Sequence, residues 1–474
     1  MTTTILAFLL CLAGFVLVGV LSHRYARSSS SDYLMASSSI KPWLAGLSAV
    51  ATNNSGYMFI GVIGYTYTTG LPAVWLMVGW LLGDFIMSSF VHRRLRERTA
   101  STGQNTFPGV LANWHGTDFR RYRRLAGLVC FIFLGAYAAA QLNAGSKALY
   151  VLFDWPLWAG AVIGAFIVVA YCFAGGIRAA IWTDAAQAIV MIVAMFLMLW
   201  VAVDHLGGVG ATWQQLNAVS PDYMDLWPGA VAGLASPWGP TLFILGWLFA
   251  GFSVIGQPHI MIRFMSLDSA ASTNRARLYY YAWYVAFYLA ANSVGLLSRL
   301  LIPETEAFDP ELALPTMAVD LLPPVLVGLV LAGVFAATIS TGDSLVLACS
   351  AAVTEDAMGK TQKLWRVKTA TLTVVALALG IALSGPQNVF DLVVISWGVL
   401  GASFGPLLLV YVLGYRPGEG LAIVMVLAAL AAVYGWTRIP LLAEYYEGMF
   451  GIVVALAVFA GARMLGLCGP RKGE

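Results

Sequence analysis

The chain has 474 residues, of which 60% are hydrophobic and only 10% are charged, and its mean hydropathy is +0.80. This composition excludes an ordinary soluble domain and indicates a membrane protein with many spanning helices. The five cysteines are scattered, without a Cys-x-x-Cys pair or a nearby histidine at ligand spacing. Neither a disulfide framework nor a metal cluster is therefore expected.

Apolar runs of membrane-spanning length recur along the chain, and thirteen of them can be counted. Basic residues follow the first run rather than precede it, which is typical of a retained helix with its N-terminus outside and not of a cleavable signal peptide. With that start, thirteen crossings place all but three of the 26 Lys and Arg side chains on the cytoplasmic side, the exceptions being Lys147, Arg299 and Arg438. The runs cover about residues 4–22, 43–65, 71–91, 125–150, 156–174, 179–203, 238–260, 278–302, 323–352, 367–384, 389–412, 420–437 and 446–466.

This sorting of charge predicts a multi-pass protein of the plasma (inner) membrane, with its N-terminus outside and its C-terminus in the cytoplasm. The basic segment 92–124 then belongs to a cytoplasmic loop, which explains its charge without a nucleic-acid partner. The longest outer connection, about 204–237, has room for a short capping helix at most.

The second run, from Trp43 to Tyr65, has an unusual centre. Two apolar stretches flank five small or polar residues, Thr-Asn-Asn-Ser-Gly at 52–56, which would lie near the middle of the bilayer. Backbone groups cannot face lipid unpaired, so an interrupted helix there must face protein or a water-filled cavity, as at the ion and substrate sites of secondary transporters. The alternative is an intact helix whose Asn and Ser side chains bond to neighbouring helices.

A second interruption follows five spans later. Residues 251–258 read Gly-Phe-Ser-Val-Ile-Gly-Gln-Pro, in which glycine permits unusual dihedral angles and proline removes a backbone donor. Two such helices five spans apart predict an all-helical fold with a five-plus-five inverted repeat of the leucine-transporter type. The predicted units are an N-terminal helix with its link (1–42), the first repeat (43–204), an outer loop (205–237), the second repeat (238–412) and two peripheral helices with a short tail (413–474).

Three acids lie within the predicted spans and away from their ends: Asp84, Asp184 and Asp343. Ionisable groups in a membrane are costly and usually functional. No Lys or Arg is expected at comparable depth, so either these acids are protonated or a mobile cation lies beside them, and we favour the cation.

Oxygen ligands for a hard cation such as sodium are available in the ninth span. Ser340 and Thr341 are neighbours, and Ser344 lies one helical turn beyond Ser340. Carbonyl oxygens freed by the first interruption, at Ala51 and Asn54, would complete a cage if the two helices touch. The alternative is that these hydroxyls only bond back to the preceding turn.

Two longer motifs resemble a known family. Residues 175–187, Gly-Gly-Ile-Arg-Ala-Ala-Ile-Trp-Thr-Asp-Ala-Ala-Gln, are similar to the signature of the sodium/solute symporter family. Residues 256–265, Gly-Gln-Pro-His-Ile-Met-Ile-Arg-Phe-Met, are similar to the corresponding stretch of its sodium/proline symporters. The resemblance extends from the second predicted span to the eleventh, and it also includes Ser340-Thr341, Thr354-Glu355-Asp356 and Phe404-Gly405-Pro406.

The resemblance implies a first sodium site between the first interrupted helix and the ninth span. Its ligands would be carbonyl oxygens and two hydroxyls, from Ala51, Asn54, Ala337, Ser340 and Thr341. Some members hold a second sodium near the acid of the signature. Here that site, for sodium or a proton, would join Ser340 to Asp184, Asp343 and Ser344.

The chain also departs from the sodium/proline symporters. They carry an Asp in the first interrupted helix where this chain has Asn53, and Asp343 is a candidate for the compensating charge. Aromatic residues of their solute pocket are replaced by Ala250 and Val254, so the solute site is not simply a proline pocket. Our candidates for lining it, each of which helix packing would explain equally well, are Asn53, Ser55, Gly56, Tyr137, Gln141, Phe252 and Ser253.

The family resemblance predicts a secondary active transporter that imports a small organic solute, an amino acid such as proline, together with sodium. It is not expected to be an enzyme, no cofactor is expected, and sodium is the only metal. The expected partners are the solute, sodium and the lipid bilayer, and the chain is expected to be a monomer or a loose oligomer. Three alternatives remain: proton coupling, a different solute, and a transporter-derived channel or sensor.

Overall fold

The computed structural model describes residues 2–22, 24, 30–229, 234–303, 307–359, 364–442 and 445–468. Within these residues the secondary structure is helical, apart from one isolated bridge between Ile40 and Leu267. The predicted polar tail beyond residue 468 lies outside the described part. The helices up to residue 217 are α1 Thr2–Ser22, α2 Ser30–Met35, α3 Pro42–Gly56, α4 Ile63–Thr69, α5 Val74–Thr102, α6 Phe107–Ala112, α7 Arg120–Phe153, α8 Leu157–His205 and α9 Val209–Asn217.

The second half of the chain repeats the pattern of long helices joined by short connections. Its helices are α10 Trp238–Phe252, α11 Pro258–Met265, α12 Thr273–Leu301, α13 Ala313–Leu321, α14 Pro324–Ala351, α15 Leu364–Ser384, α16 Val389–Val412, α17 Glu419–Thr437 and α18 Glu447–Met464. Short α9 lies in the predicted outer loop.

Eleven helices of the described residues are long and apolar enough to cross a membrane. The other two predicted runs are also helical, but a break shortens each of them. One is α3 with α4, and the other is the first limb of α8, Leu157–Phe173, which ends near Gly176. At Gly176 φ is +59°, and an added Cβ would lie 2.5 Å from the Tyr33 carbonyl oxygen, so the kink requires glycine.

The core of the bundle is formed by the two interrupted helices and their neighbours. Helix α14 packs against α7, α8 and α3, and α10 packs closely against α5. At that contact an added Cβ on Gly83 would lie 2.2 Å from the Leu248 carbonyl oxygen, and one on Gly251 would lie 2.3 Å from that of Trp80. Small residues thus let the two backbones approach, as they do in other membrane helix pairs. Peripheral α1 covers α8 and α14, while α17 and α18 pack beside α16.

Candidate functional site

The first predicted interruption is present, and its centre is Ser55. This residue has φ +42° and ψ −179°, a strained conformation for a residue other than glycine. A π-helical turn, Tyr57–Val62, follows before α4 begins, and such turns are frequent at functional sites. At Gly56 an added Cβ would lie 2.7 Å from side-chain atoms of Ala144 and Thr338, so a glycine lets α3 approach α7 and α14.

The second predicted interruption lies between α10 and α11. A 3₁₀ turn, Ser253–Gly256, is followed by Gln257 in an extended conformation and by Pro258 at the first position of α11. An added Cβ on Gly256 would lie 2.8 Å from the Leu400 carbonyl oxygen, so this turn packs directly on α16. The proline explains why α10 cannot continue through this point.

The residues of the first predicted sodium site meet between α3 and α14. The Ser340 hydroxyl lies 3.5 Å from the Ala51 carbonyl oxygen and 3.1 Å from that of Ala337. The Thr341 hydroxyl donates to the Thr52 carbonyl at 3.0 Å, a contact that was not expected from the sequence. Every group in this cluster is a buried oxygen donor, which is the ligand chemistry that a hard cation prefers.

Asn54 was also predicted as a ligand of the first sodium site, but its carbonyl and its side-chain nitrogen form other hydrogen bonds. Its carbonyl accepts the Tyr57 amide, and its side-chain amide donates to the Val50 carbonyl at 2.9 Å. The Asn54 side-chain oxygen has no hydrogen-bond partner among the described residues.

The second predicted site is a connected cluster of hydroxyls and carboxylates. The Ser48 hydroxyl donates to Asp184 at 2.6 Å, and the Thr52 hydroxyl lies 3.4 Å from the same oxygen. Thr52 also lies 3.3 Å from the Ser344 hydroxyl, which is 3.0 Å from a carboxylate oxygen of Asp343. Ser48 and Thr52 were not predicted, although they lie one turn apart on α3 and so share a face.

A buried arginine corrects one expectation about this cluster. The sequence placed Arg263 outside the membrane, beyond a span that ended near residue 260. The structure continues that span through α11, and the Arg263 side chain is fully buried. Its guanidinium donates to Asp184 at 3.2 Å, to Ser48 at 3.2 Å and to Ser344. The prediction that no Lys or Arg lies at the depth of the acids was therefore wrong.

The third acid, Asp84, lies on α5, away from this cluster. Its two carboxylate oxygens accept hydrogen bonds from the hydroxyls of Tyr280, at 2.6 Å, and Tyr281, at 2.8 Å. The Asn53 side-chain amide donates to the Tyr280 hydroxyl. Asp84 thus connects to the first interruption, rather than to the two predicted cation sites.

The predicted solute-lining residues divide into two groups. Gly56 and Gln141 meet at the first interruption, where the Gly56 amide donates to the Gln141 side-chain oxygen at 2.9 Å, and the Ser55 hydroxyl accepts the Tyr57 amide. Phe252 instead packs its half-buried ring on Phe249. Ser253 uses its hydroxyl to bond Tyr446 at 2.7 Å and the Phe249 carbonyl.

A chain of aromatic contacts around both interruptions was missed by the sequence reasoning. It runs from Tyr57 to Trp80 (centroids 5.7 Å apart), to Trp397 (4.9 Å), to His259 (6.3 Å) and on to Tyr137 (5.4 Å). Only Tyr137 was predicted, although His259 lies within a motif that the sequence singled out.

Several buried polar atoms next to this aromatic chain have no hydrogen-bond partner among the described residues. Such atoms are rare in proteins, and each usually marks a ligand or ordered water. All of them belong to neutral side chains, which suits a solute without net charge. They are Asn53 Oδ1, Tyr57 OH, Trp80 Nε1, Gln141 Nε2, Gln257 Oε1 and both ring nitrogens of His259.

An ion-pair network joins α7 to the segment before α13 and to the start of α16. Lys147 of α7 contacts Asp309 and Glu311, both at 2.6 Å. Glu311 also accepts the first backbone amides of α16, from Val389 at 3.0 Å and Phe390 at 2.8 Å. Because a carboxylate at a helix N-terminus is stabilising, this contact holds the start of α16 in place.

Comparison with known proteins supports one family for the whole helical bundle. The model of the sodium:solute symporter family matches residues 33–427. The high-affinity proline transporter PutP of Bacillus subtilis (strain 168) is 29% identical over 445 residues, covering 91% of this chain and 92% of that protein. The sodium/proline symporter of Staphylococcus aureus (strain USA300 / TCH1516) is 31% identical over 409 residues, covering 83% of this chain and 78% of that protein.

Solved structures with similar folds are sodium- or cation-coupled transporters. A Na⁺-coupled sialic acid symporter in a substrate-bound outward-open state aligns with a TM-score of 0.84 at 18% identity, covering 100% of this chain and 99% of that one. MHP1, a nucleobase-cation-symport-1 family transporter, aligns with a TM-score of 0.54 at 15% identity, covering 93% and 96%. These similarities confirm the predicted fold class, an all-helical membrane protein with a five-plus-five repeat of the leucine-transporter type.

Proposed function

The chain belongs to the sodium:solute symporter family, and from that premise we propose that it imports a small zwitterionic solute together with sodium. An amino acid such as proline is the first solute to test, because the compared relatives from Bacillus subtilis and Staphylococcus aureus are named for proline. The neutral unpaired atoms around the interruptions support a solute without net charge. We further propose that the protein lies in the plasma membrane, with its N-terminus outside.

The observation that carries this proposal is the oxygen cluster between α3 and α14. Sodium binds among the carbonyl oxygens of Ala51 and Ala337 and the hydroxyls of Ser340 and Thr341. Asn54, the remaining predicted ligand, has its carbonyl bonded to the Tyr57 amide. Because these ligands come from two different helices, bound sodium holds α3 against α14. That contact couples sodium to the shape of the neighbouring solute site, since Gly56 lies at the same interruption and donates its amide to Gln141 of α7.

Arg263 gives the second predicted site a different role. Its guanidinium already supplies a positive charge to Asp184, and it also bonds Ser344. We therefore propose that this cluster holds α11 to α3, α8 and α14, and that the mobile sodium binds at the first site. Asp343 belongs to the same network through Ser344.

Uptake of labelled L-proline into proteoliposomes, with and without an inward sodium gradient, tests the proposal. Ser340→Ala removes one ligand of the first site and should raise the half-saturating sodium concentration at least about tenfold, the equivalent of roughly 1.4 kcal/mol. Ser350→Ala is the matched control, because Ser350 is also a buried serine of α14 and, within the described part of the chain, its hydroxyl bonds just the Val346 carbonyl of its own helix.

Three other outcomes would change the proposal. Thermal stabilisation by sodium without proline uptake would retain sodium coupling and discard proline as the solute. Uptake driven by a pH gradient and indifferent to sodium would replace sodium with protons. Solute flux that cannot be driven uphill by any ion gradient would indicate a channel.

A further inference from the structure

Asp84 is a fully buried acid whose hydrogen bonds with the described residues are made to neutral groups. Tyr280 donates to one carboxylate oxygen and Tyr281 to the other. Among the described residues no Lys or Arg forms an ion pair with it. The nearest cation along the network is Arg277, which donates to Ser88 at 3.2 Å, and Ser88 in turn bonds the Tyr281 hydroxyl at 2.6 Å.

The donor roles in this network follow from its chemistry. Both phenols donate to Asp84, so the single hydroxyl hydrogen of Tyr280 points to its carboxyl group. The Tyr280 oxygen must then act as acceptor toward Asn53, which means that the amide nitrogen of Asn53 faces Tyr280. The nitrogen and oxygen of an Asn side-chain amide point in different directions. The Asn53 oxygen Oδ1 is consequently turned away from Tyr280.

That oxygen lies at the first interruption, and the described residues offer it no hydrogen-bond partner. Asn53 is buried and immediately follows Thr52, whose carbonyl contacts the proposed sodium site. Its Oδ1 accepts no hydrogen bond from any described residue. A buried amide oxygen left unpaired is costly unless a ligand completes it. A partially negative oxygen of this kind attracts a positively charged group.

We propose that Asp84 is a positioning residue which, through Tyr280, holds the Asn53 amide so that Oδ1 accepts a cationic ligand. The two cations available to a sodium-coupled carrier of zwitterions are sodium and the ammonium group of the solute. This inference rests on the proposed function and adds a residue outside both predicted cation sites. A neutral residue at position 84 would not hold the Tyr280 hydroxyl hydrogen in place. Tyr280 could then donate to Asn53 Oδ1 instead. The Asn53 amide nitrogen would then point toward the cation, which it cannot bind.

Two readouts on purified protein test the proposal and distinguish the two cations. The first is the thermal unfolding midpoint as a function of sodium, without solute. The second is the half-saturating proline concentration and the maximal rate of uptake at saturating sodium. Asp84→Asn should weaken the binding of one cation at least about tenfold while leaving the maximal rate within about threefold. If the unfolding midpoint responds less to sodium, the cation at Asn53 is sodium. If only the half-saturating proline concentration rises, the cation is the ammonium group of the solute.

The two adjacent tyrosines provide a matched pair of variants. Tyr280→Phe and Tyr281→Phe each remove one phenol from Asp84, but only Tyr280 touches Asn53. We expect Tyr280→Phe to weaken binding by at least about fivefold and Tyr281→Phe by less than about threefold. Because Tyr280→Phe removes no charge, it tests the proposal even if Asp84→Asn fails to fold.

A compensating variant distinguishes positioning from a merely structural role. An Asp at position 53 presents an acceptor oxygen in either orientation, so it does not need Asp84 to orient it. Asp84→Asn with Asn53→Asp should therefore restore binding to within about threefold of the parent protein. Unchanged binding in Asp84→Asn and Tyr280→Phe, or equal losses in the two tyrosine variants, would overturn the inference alone. A parent protein that responds to neither sodium nor proline would overturn the proposed function and the inference with it.

Discussion

Arg263→Gln removes the positive charge from the second predicted site, and its effect can be estimated from the contacts. The guanidinium bonds Asp184, Ser48, Ser344 and the His259 carbonyl, the last at 2.6 Å, and both charged side chains are fully buried. The variant leaves Asp184 with a single close hydroxyl donor, Ser48.

Breaking a buried ion pair by removing one partner costs about 3–5 kcal/mol, because the remaining charge is left uncompensated. Sodium can take the vacated place beside Asp184 and offset part of that loss. At a sodium concentration of about 100 times the dissociation constant, one bound ion contributes about 2.7 kcal/mol. We therefore expect Arg263→Gln to be strongly destabilised without sodium and to gain more stability from sodium than the parent protein does.

The measurement is the thermal unfolding midpoint during a sodium titration in which choline keeps the ionic strength constant. The double variant Asp184→Asn with Arg263→Gln is the control, since it removes both charges and should lose the additional sodium dependence. If Arg263→Gln matched the parent protein in midpoint and in sodium dependence, Arg263 would not be the cation of this site.

Two further predictions concern helix contacts. Gly83→Ala should prevent stable folding, because its Cβ would lie 2.2 Å from the Leu248 carbonyl oxygen, whereas Gly420→Ala meets no atom within 4 Å and should be neutral in a detergent-stability assay. Equal yields of the two variants would contradict this packing. Glu311→Gln should loosen the start of α16, because it removes the carboxylate that accepts the first amides of that helix. In proteins that carry Phe390→Cys, a thiol reagent applied from outside should label the introduced thiol at least about fivefold faster with Glu311→Gln than with Glu311 intact. An unchanged labelling rate would show that Glu311 does not hold the start of α16 in place.

The two interruptions could be predicted from the sequence because their cause is local. Small and polar residues at 52–56, and glycine with proline at 251–258, weaken a helix wherever the chain places them. Ser340 and Ser344 could also be predicted to lie one turn apart on one face, with Thr341 next to Ser340 in the chain. The structure brings the hydroxyls of Ser340 and Thr341 against α3. Hydropathy, however, locates the end of a span only to within a few residues.

That uncertainty explains the error at Arg263. The predicted span ended near residue 260, and an arginine three residues later was assigned to the cytoplasm. In the structure α11 begins at Pro258, and this short helix carries Arg263 into the bundle opposite Asp184. The pairing of Asp84 with Tyr280 was equally hidden, because the two residues are 196 positions apart and only the packed fold brings them together.

Asp84, Asp184 and Asp343 differ in which groups compensate their charge, and this difference bears on the number of coupling ions. Asp184 has the Arg263 guanidinium, and Asp84 has two phenol donors. Asp343 has the Ser344 hydroxyl and, among the described residues, no ion pair. It lies on α14 two residues beyond Thr341, so a single sodium at the first site is the nearest mobile charge that could compensate it. One sodium carried with one zwitterion would move one positive charge per cycle, and the ratio of charge to solute in proteoliposomes should therefore be about 1.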